Sequence, residues 1–125
     1  MPPDRWFGVG FCEGAPGAGA SAAGDALVHD DPKLLIVFCS PAHDLRQLLR
    51  QIRERAGDVP LIGCTTAGQI ATHGPSDGGV VVAALGGQGF AVRTTAAAEA
   101  SRNLREAGAR VARGLPDREI GRAHV

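Results

Sequence analysis

The 125-residue sequence lacks the features that assign a chain to membrane or nucleic-acid classes. Its formal net charge is zero, which gives no electrostatic reason to expect nucleic acid or an anionic membrane as a partner. No apolar run approaches the roughly 20 residues that span a bilayer. No basic segment followed by an apolar one resembles a signal peptide. We therefore expect a cytoplasmic protein with no membrane and no nucleic acid among its partners.

Cysteine is scarce, and the usual metal and phosphate motifs are missing. The three cysteines (Cys12, Cys39 and Cys64) are odd in number, widely spaced and without a Cys-x-x-Cys pair. This pattern favours reduced thiols over a disulfide framework. The four histidines share no metal-ligand spacing with one another or with the cysteines, so we expect no metal. The chain has no Gly-x-x-x-x-Gly-Lys-[Ser/Thr] motif, and we expect no cofactor.

One glycine pattern matches a loose dinucleotide-binding motif. Residues 17–22 read Gly-Ala-Gly-Ala-Ser-Ala, which fits Gly-x-Gly-x-x-Ala. Such a site also requires an acidic residue at the end of the second strand, where this chain has Cys-Ser-Pro at residues 39–41. Because residues 14–20 contain only Gly, Ala and Pro, we interpret this segment as a flexible connector.

The middle of the chain has the pattern of a β-α-β unit. Six consecutive apolar residues at 34–39 predict a strand that is buried on both faces. Ser40 and Pro41 predict a helix start, because serine caps the first N–H groups and proline fits the first turn. Leu45, Leu48, Leu49, Ile52 and Ala56 then recur at helical spacing and predict its buried face. A second apolar run, Leu-Ile at residues 61–62, leads into a predicted loop at residues 63–68.

The remaining segments complete an α/β pattern. Strands are predicted at residues 6–11, 80–85 and 90–94, and helices at residues 21–28 and 96–113. Gly8 and Gly10 in the first strand indicate a close approach of another backbone. Glycines at residues 86–89 predict that the last two strands pair antiparallel, with residues 71–79 as a turn-rich loop. The order β-α-β-α-β-β-β-α predicts a mixed β-sheet with helices packed on it.

The loops after the two central strands form the predicted site. Ligands in open α/β sheets bind beyond the carboxyl ends of the parallel strands. Ser40 and the N–H groups that open the next helix are expected to receive an anionic group such as a carboxylate. The second loop offers small side chains, N–H groups and hydroxyls for a small polar ligand. The predicted ligand-binding residues are Ser40, Gly63, Cys64, Thr65, Thr66 and Gly68.

Cys64 allows three interpretations. It is the nucleophile of a thiol-dependent acyl-transfer enzyme, a ligand contact, or a packing residue. The sequence places no histidine as its base, so we predict no catalytic residue. Alkylation of Cys64 far faster than that of Cys12 or Cys39 would favour the enzyme.

Two stretches carry a family resemblance: Leu-Leu-Ile-Val-Phe-Cys-Ser-Pro at residues 34–41 and Leu-Ile-Gly-Cys-Thr-Thr-Ala-Gly-Gln-Ile at residues 61–70. With the helix predicted between them, they resemble the N-terminal part of FIST domains. The most specific motif is Gly-Cys-[Ser/Thr]-[Ser/Thr]-x-Gly-[Glu/Gln], in which this chain has Gln69 where glutamate is common. The resemblance implies an intracellular sensory domain of signal-transduction proteins, which binds small ligands such as amino acids without catalysis.

The resemblance also implies a domain organisation. Residues 1–115 would form a partial FIST N-terminal sensory domain, whose partners are a small-molecule ligand and either the remainder of the FIST domain or an output signalling module. Residues 116–125 look non-native, because Ile-Gly-Arg-Ala-His-Val at residues 120–125 resembles a translated sequencing adapter, and we expect read-through after truncation. An inactive fragment with unpaired strand edges is a further alternative.

Overall fold

A computed structural model of the chain describes residues 4–13, 17–66, 69–71, 74–76 and 78–114. The strands are β1 (Arg5–Glu13), β2 (Pro32–Cys39), β3 (Leu61–Thr65), β4 (Gln69–Ala71), β5 (Gly74–Ser76) and β6 (Gly79–Gly87). The helices are α1 (Ala18–Ala26), α2 (Leu45–Ala56) and α3 (Leu104–Arg113). The chain divides into two compact units after Val92. Residues 116–125, for which we predict a non-native tail, lie outside the described residues.

The first unit contains a four-stranded sheet in the order β1-β6-β2-β3. Strand β6 runs antiparallel to both β1 and β2, whereas β3 runs parallel to β2. The predicted α/β class with a mixed sheet is therefore confirmed. None of the helices in the described residues is both long and apolar enough to cross a membrane.

Two predictions about the second half of the sheet are wrong. Residues 90–94 form no strand, because both edges of β6 are already paired and offer no edge to a hairpin partner. The predicted loop at residues 71–79 contains β5, which pairs with β4 as a separate two-stranded sheet.

Helix α1 begins at Ala18, three residues before its predicted start, so the end of the predicted flexible connector is helical. Its buried residues are mostly alanines, and the absence of long side chains lets its backbone approach β1 closely. A Cβ atom added at Gly8 or Gly10 would collide with the carbonyl oxygens of Ala26 or Ala22. The close backbone approach predicted from the two glycines is confirmed.

Helix α2 begins four residues later than predicted. Its N-cap is Asp44, whose carboxylate accepts hydrogen bonds from the N–H groups of Arg46 and Gln47 at 3.0 and 3.4 Å. The prediction that Ser40 caps this helix is wrong. Of the predicted apolar face, Leu48 and Ile52 are buried, whereas Leu45 and Leu49 are 48% and 40% exposed.

Strand β3 is longer than the sequence predicts. Residues 63–65, predicted as loop, continue the strand because β2 extends to Cys39, whose register partner is Thr65. Every residue of β3 therefore pairs with β2. Of the loop predicted at residues 63–68, Thr66 is the one described residue that lies outside the strand.

The register places apolar side chains on both faces of the four-stranded sheet. Leu35, Val37 and Cys39 are buried in a core shared with α1 and α2. The opposite face carries Phe7 and Phe38, which are 61% and 40% exposed. Both faces are thus apolar, which is typical of sheets that are covered on both sides.

The second unit contains α3, which is shorter than predicted. Its N-cap is Asn103, whose side chain accepts a hydrogen bond from the Glu106 N–H at 3.1 Å. Glu106 and Arg110 form an ion pair at 2.9 Å, and Arg102 pairs with Glu99 at 3.7 Å. Residues 96–103 precede the helix, because the Asn103 cap fixes its start.

Candidate functional site

The carboxyl ends of β2 and β3 lie side by side at one edge of the sheet, as the β-α-β pattern predicts. Cys39 pairs with Thr65, and the Thr66 N–H donates to the Cys39 carbonyl oxygen at 2.9 Å. Ser40 and Thr66, which follow these residues, are therefore neighbours at the strand ends. Gly68 lies outside the described residues.

Ser40 is held by its own turn. Only 4% of its surface is exposed, and its Oγ accepts a hydrogen bond from the Ala42 N–H at 3.2 Å. Its own N–H donates to the Gly79 carbonyl oxygen at 3.1 Å. Because Asp44 already accepts from the first-turn N–H groups of α2, these contacts give Ser40 a structural role in the turn.

A notch runs along the outer side of β3, between that strand and α2. It has a volume of about 370 Å³, which is within the range of small-molecule pockets. Its lining is mostly apolar. We call this cavity the β3 notch; its lining residues are Val37, Cys39, Leu49, Leu61, Ile62, Gly63 and Cys64.

Gly63 forms part of the floor of the β3 notch, and its lack of a side chain is required there. A Cβ atom at this position would collide with the carbonyl oxygen of Val37, its register partner on β2. Thr65 continues the same face of β3, since alternate residues of a strand share a face, and it is exposed. Thr65 is not part of the lining, and its hydroxyl lies on the same face of β3, two residues beyond Gly63.

The two cysteines of the site differ in exposure. Cys64 is exposed, and it lies with its register partner Phe38 on the face of the sheet away from α2. Cys39 is buried, and burial raises the pKa of its thiol, with a further contribution from nearby Cys64. Cys39 is therefore a protonated packing group at neutral pH.

The glycine pattern at residues 17–22 serves helix packing. Gly17 is the N-cap of α1 with φ of 78°, and the Gly19 N–H donates to the Gln51 side chain of α2 at 3.2 Å. A Cβ at Gly19 would collide with Leu48. The contact between α1 and α2 thus accounts for the glycines without a dinucleotide.

No group of three or more His, Cys, Asp or Glu side chains that fits a metal ion occurs in the described part of the chain. His43 lies near the start of α2, where its Nε2 is 3.0 Å from the Gly78 carbonyl oxygen. This contact ties the turn before α2 to the start of β6.

The sequence predicted Gly63 and Cys64 as site residues and missed the apolar lining. Val37 and Leu61 belong to the two predicted apolar runs, and Leu49 belongs to the predicted buried face of the helix, so none of the three is predicted as a site residue. Leu49 could have indicated the apolar lining from the sequence. The apolar stripe of α2 is wider than its two buried residues, Leu48 and Ile52, require.

These features define an α/β domain with an open notch at the edge of a mixed sheet. The family model of the FIST N domain matches residues 33–124. The chain therefore belongs to the FIST N domain family, a family of sensory domains in signal transduction. The comparison with curated proteins found no match.

Proposed function

We propose that the chain is a cytoplasmic, non-catalytic domain that senses a small molecule and binds it in the β3 notch. Three observations support the proposal: membership in a family of sensory domains, a notch of about 370 Å³, and the presence of Gly63 and Cys64 in its lining. The proposal depends on one observation: a cavity of this volume lies beside Gly63 and Cys64, which the sequence predicts as ligand-binding residues.

The lining indicates the chemistry of the ligand. Leu49, Leu61 and Val37 offer apolar contacts, and Thr65, which follows the lining residues on the same face of β3, carries a hydroxyl. A ligand that fits has an apolar side chain and a polar head group. An amino acid with an apolar side chain meets both requirements, and we propose this class of ligand.

The proposed mechanism is a shift in conformational population. A ligand that binds one conformation better than another raises the population of that conformation. The notch lies between α2 and β3, so a bound ligand would favour one distance between these elements. The proposed readout partner is the remainder of a FIST domain or an output signalling module.

A thermal-shift screen with apolar amino acids tests the proposal. A ligand at one hundred times its dissociation constant stabilises the folded state by about 2.7 kcal/mol. For a chain of this size that corresponds to a rise in melting temperature of roughly 10 °C. We expect a concentration-dependent rise for at least one apolar amino acid.

A pair of variants tests whether the ligand that raises the melting temperature binds in the β3 notch. L49Q places an amide in the lining of the notch, whereas L104Q makes the same change at a 74% exposed position on α3. We expect L49Q to lose the shift and L104Q to keep it. Equal shifts in both variants would place the ligand elsewhere, and the absence of any shift with the wild type would contradict the proposal.

A further inference from the structure

Strand β3 has an open outer edge among the described residues. It is the last strand in the sheet order, and its inner edge pairs with β2. The Leu35 N–H donates to the Pro60 carbonyl oxygen, and the Thr66 N–H donates to the Cys39 carbonyl oxygen, each at 2.9 Å. Since these two inward contacts lie an even number of residues apart, backbone groups of Leu61, Gly63 and Thr65 point outward.

Within β3, this edge lacks three of the features that protect strands from pairing: a charged residue, a proline and a bulge. Native sheets block their edges with charged residues, proline or bulges. The five residues of β3 are Leu-Ile-Gly-Cys-Thr, without a charge or a proline, and the ladder to β2 is regular throughout.

Exposed apolar side chains lie beside the same edge on both faces of the sheet. Leu45 and Leu49 of α2 are 48% and 40% exposed on the helical side. Phe38 and Ile62 are 40% and 46% exposed on the other face of the sheet. Concentrated exposure of this kind marks an interaction surface.

We infer that the outer edge of β3 pairs with β3 of a second copy of this chain, antiparallel and centred on Gly63. In this register Leu61 pairs with Thr65 of the second copy, and Gly63 pairs with its own equivalent. Each of these pairs exchanges two hydrogen bonds through the outward backbone groups. The two-fold axis is normal to the sheet, so the two four-stranded sheets become one continuous sheet.

A second copy fits this edge better than an isolated peptide strand does. A peptide would satisfy the backbone of β3 and leave Leu45 and Leu49 exposed. The two-fold axis keeps both α2 helices on one face of the joined sheet and brings these leucines toward their equivalents. The chain has zero formal net charge, so no long-range repulsion opposes the pairing. The inference does not rest on the proposed ligand, but the second copy covers the same outer side of β3 as the β3 notch, so a ligand bound there should weaken the pairing.

The register predicts one specific disulfide. Ile62 lies opposite Cys64 of the second copy as a non-hydrogen-bonded pair, with Cα atoms about 4.5 Å apart. Disulfides join Cα atoms roughly 4.4 to 6.8 Å apart. Mild oxidation of I62C at micromolar concentration should therefore give a covalent dimer on a non-reducing gel, through the introduced thiol and Cys64 of the second copy.

Two controls make the cross-link specific. The double variant I62C/C64S lacks the acceptor thiol and should stay monomeric on the gel. F7C introduces a thiol at a more exposed position on the far edge strand and should cross-link no faster than the wild type. Rapid cross-linking of F7C, or none with I62C, would overturn the proposed register.

Sedimentation velocity tests the pairing without added thiols. We expect a concentration-dependent dimer of the wild type, and a dissociation constant raised roughly tenfold or more by L49R, since a charge then lies at the interface. L104R is the matched control and should dimerise like the wild type. A wild type that stays monomeric at all concentrations would overturn the inference even if a ligand binds.

Discussion

At the scale of single residues, Cys39 shows how burial controls the ionisation of a thiol. Only 2% of Cys39 is exposed, at the end of β2 and beneath α2. Burial is the main cause of its raised pKa, because an apolar environment disfavours the thiolate. Cys64 lies one register position away on the exposed face.

The raised pKa of Cys39 predicts a loss of stability at alkaline pH. The unfolded thiol ionises near pH 8.5, whereas the folded thiol keeps its proton to higher pH. The folded state then binds more protons than the unfolded state, so the free energy of unfolding falls as pH rises above about 8.5. Urea unfolding between pH 7.5 and 10 measures this slope, and the chain has no tyrosine to add to it.

Cysteine variants test whether Cys39 causes this fall in the free energy of unfolding with pH. C39A should lower stability at every pH and flatten the alkaline decline, whereas C12A should keep the decline. A decline of equal steepness in C39A would show that Cys39 is not its source.

The start of α2 shows which residue-scale features are predictable. Ser40 and Asp44 are both good capping residues, four positions apart in the sequence. The structure uses Asp44, because Ser40 is fixed by Gly79, which is distant in the sequence. Local preference identifies candidates, and a contact between distant segments selects one of them.

At the scale of elements, the contact between α1 and β1 depends on small residues. Gly8 and Gly10 face the backbone of α1, and the buried positions of the helix are filled by alanine and glycine. This close packing was predictable from two glycines at alternate positions of one strand. The extent of β3 was not, because glycine is depleted in strands and only the pairing of Gly63 with Val37 of β2 continues the strand through it.

Substitution of Gly10 by alanine tests this packing. The added Cβ meets the Ala22 carbonyl oxygen, so G10A must push α1 away from β1. We expect G10A to lower the free energy of unfolding by about 1 to 3 kcal/mol, the usual range for an overpacked core. Urea unfolding followed by circular dichroism measures the difference.

Gly108 provides the matched control. A Cβ at this position in α3 meets no atom within 4 Å, and alanine favours a helix over glycine by about 1 kcal/mol. G108A should therefore leave stability unchanged or raise it. A G10A variant as stable as G108A would contradict the close contact between α1 and β1.

At the scale of the whole molecule, the sequence predicts the class of fold and misses the strand order. The apolar runs of β2 and β6 identify buried strands, and the pattern between β2 and β3 identifies a parallel pair. The central place of β6 could not be predicted, because it depends on pairing with β1, far away in the sequence. The β3 notch depends on this order, since it forms only because β3 is the last strand of the described sheet.

Binding of a small ligand in the β3 notch is tested most directly by an NMR titration of ¹⁵N-labelled protein with L-leucine and the other apolar amino acids. We predict saturable shifts of the amide resonances of Leu49, Gly63 and Cys64. The resonances of Arg5 and Gln88, beside a separate cavity of about 400 Å³, should stay in place. Saturable shifts centred on that other cavity, or none at all, would contradict the proposal.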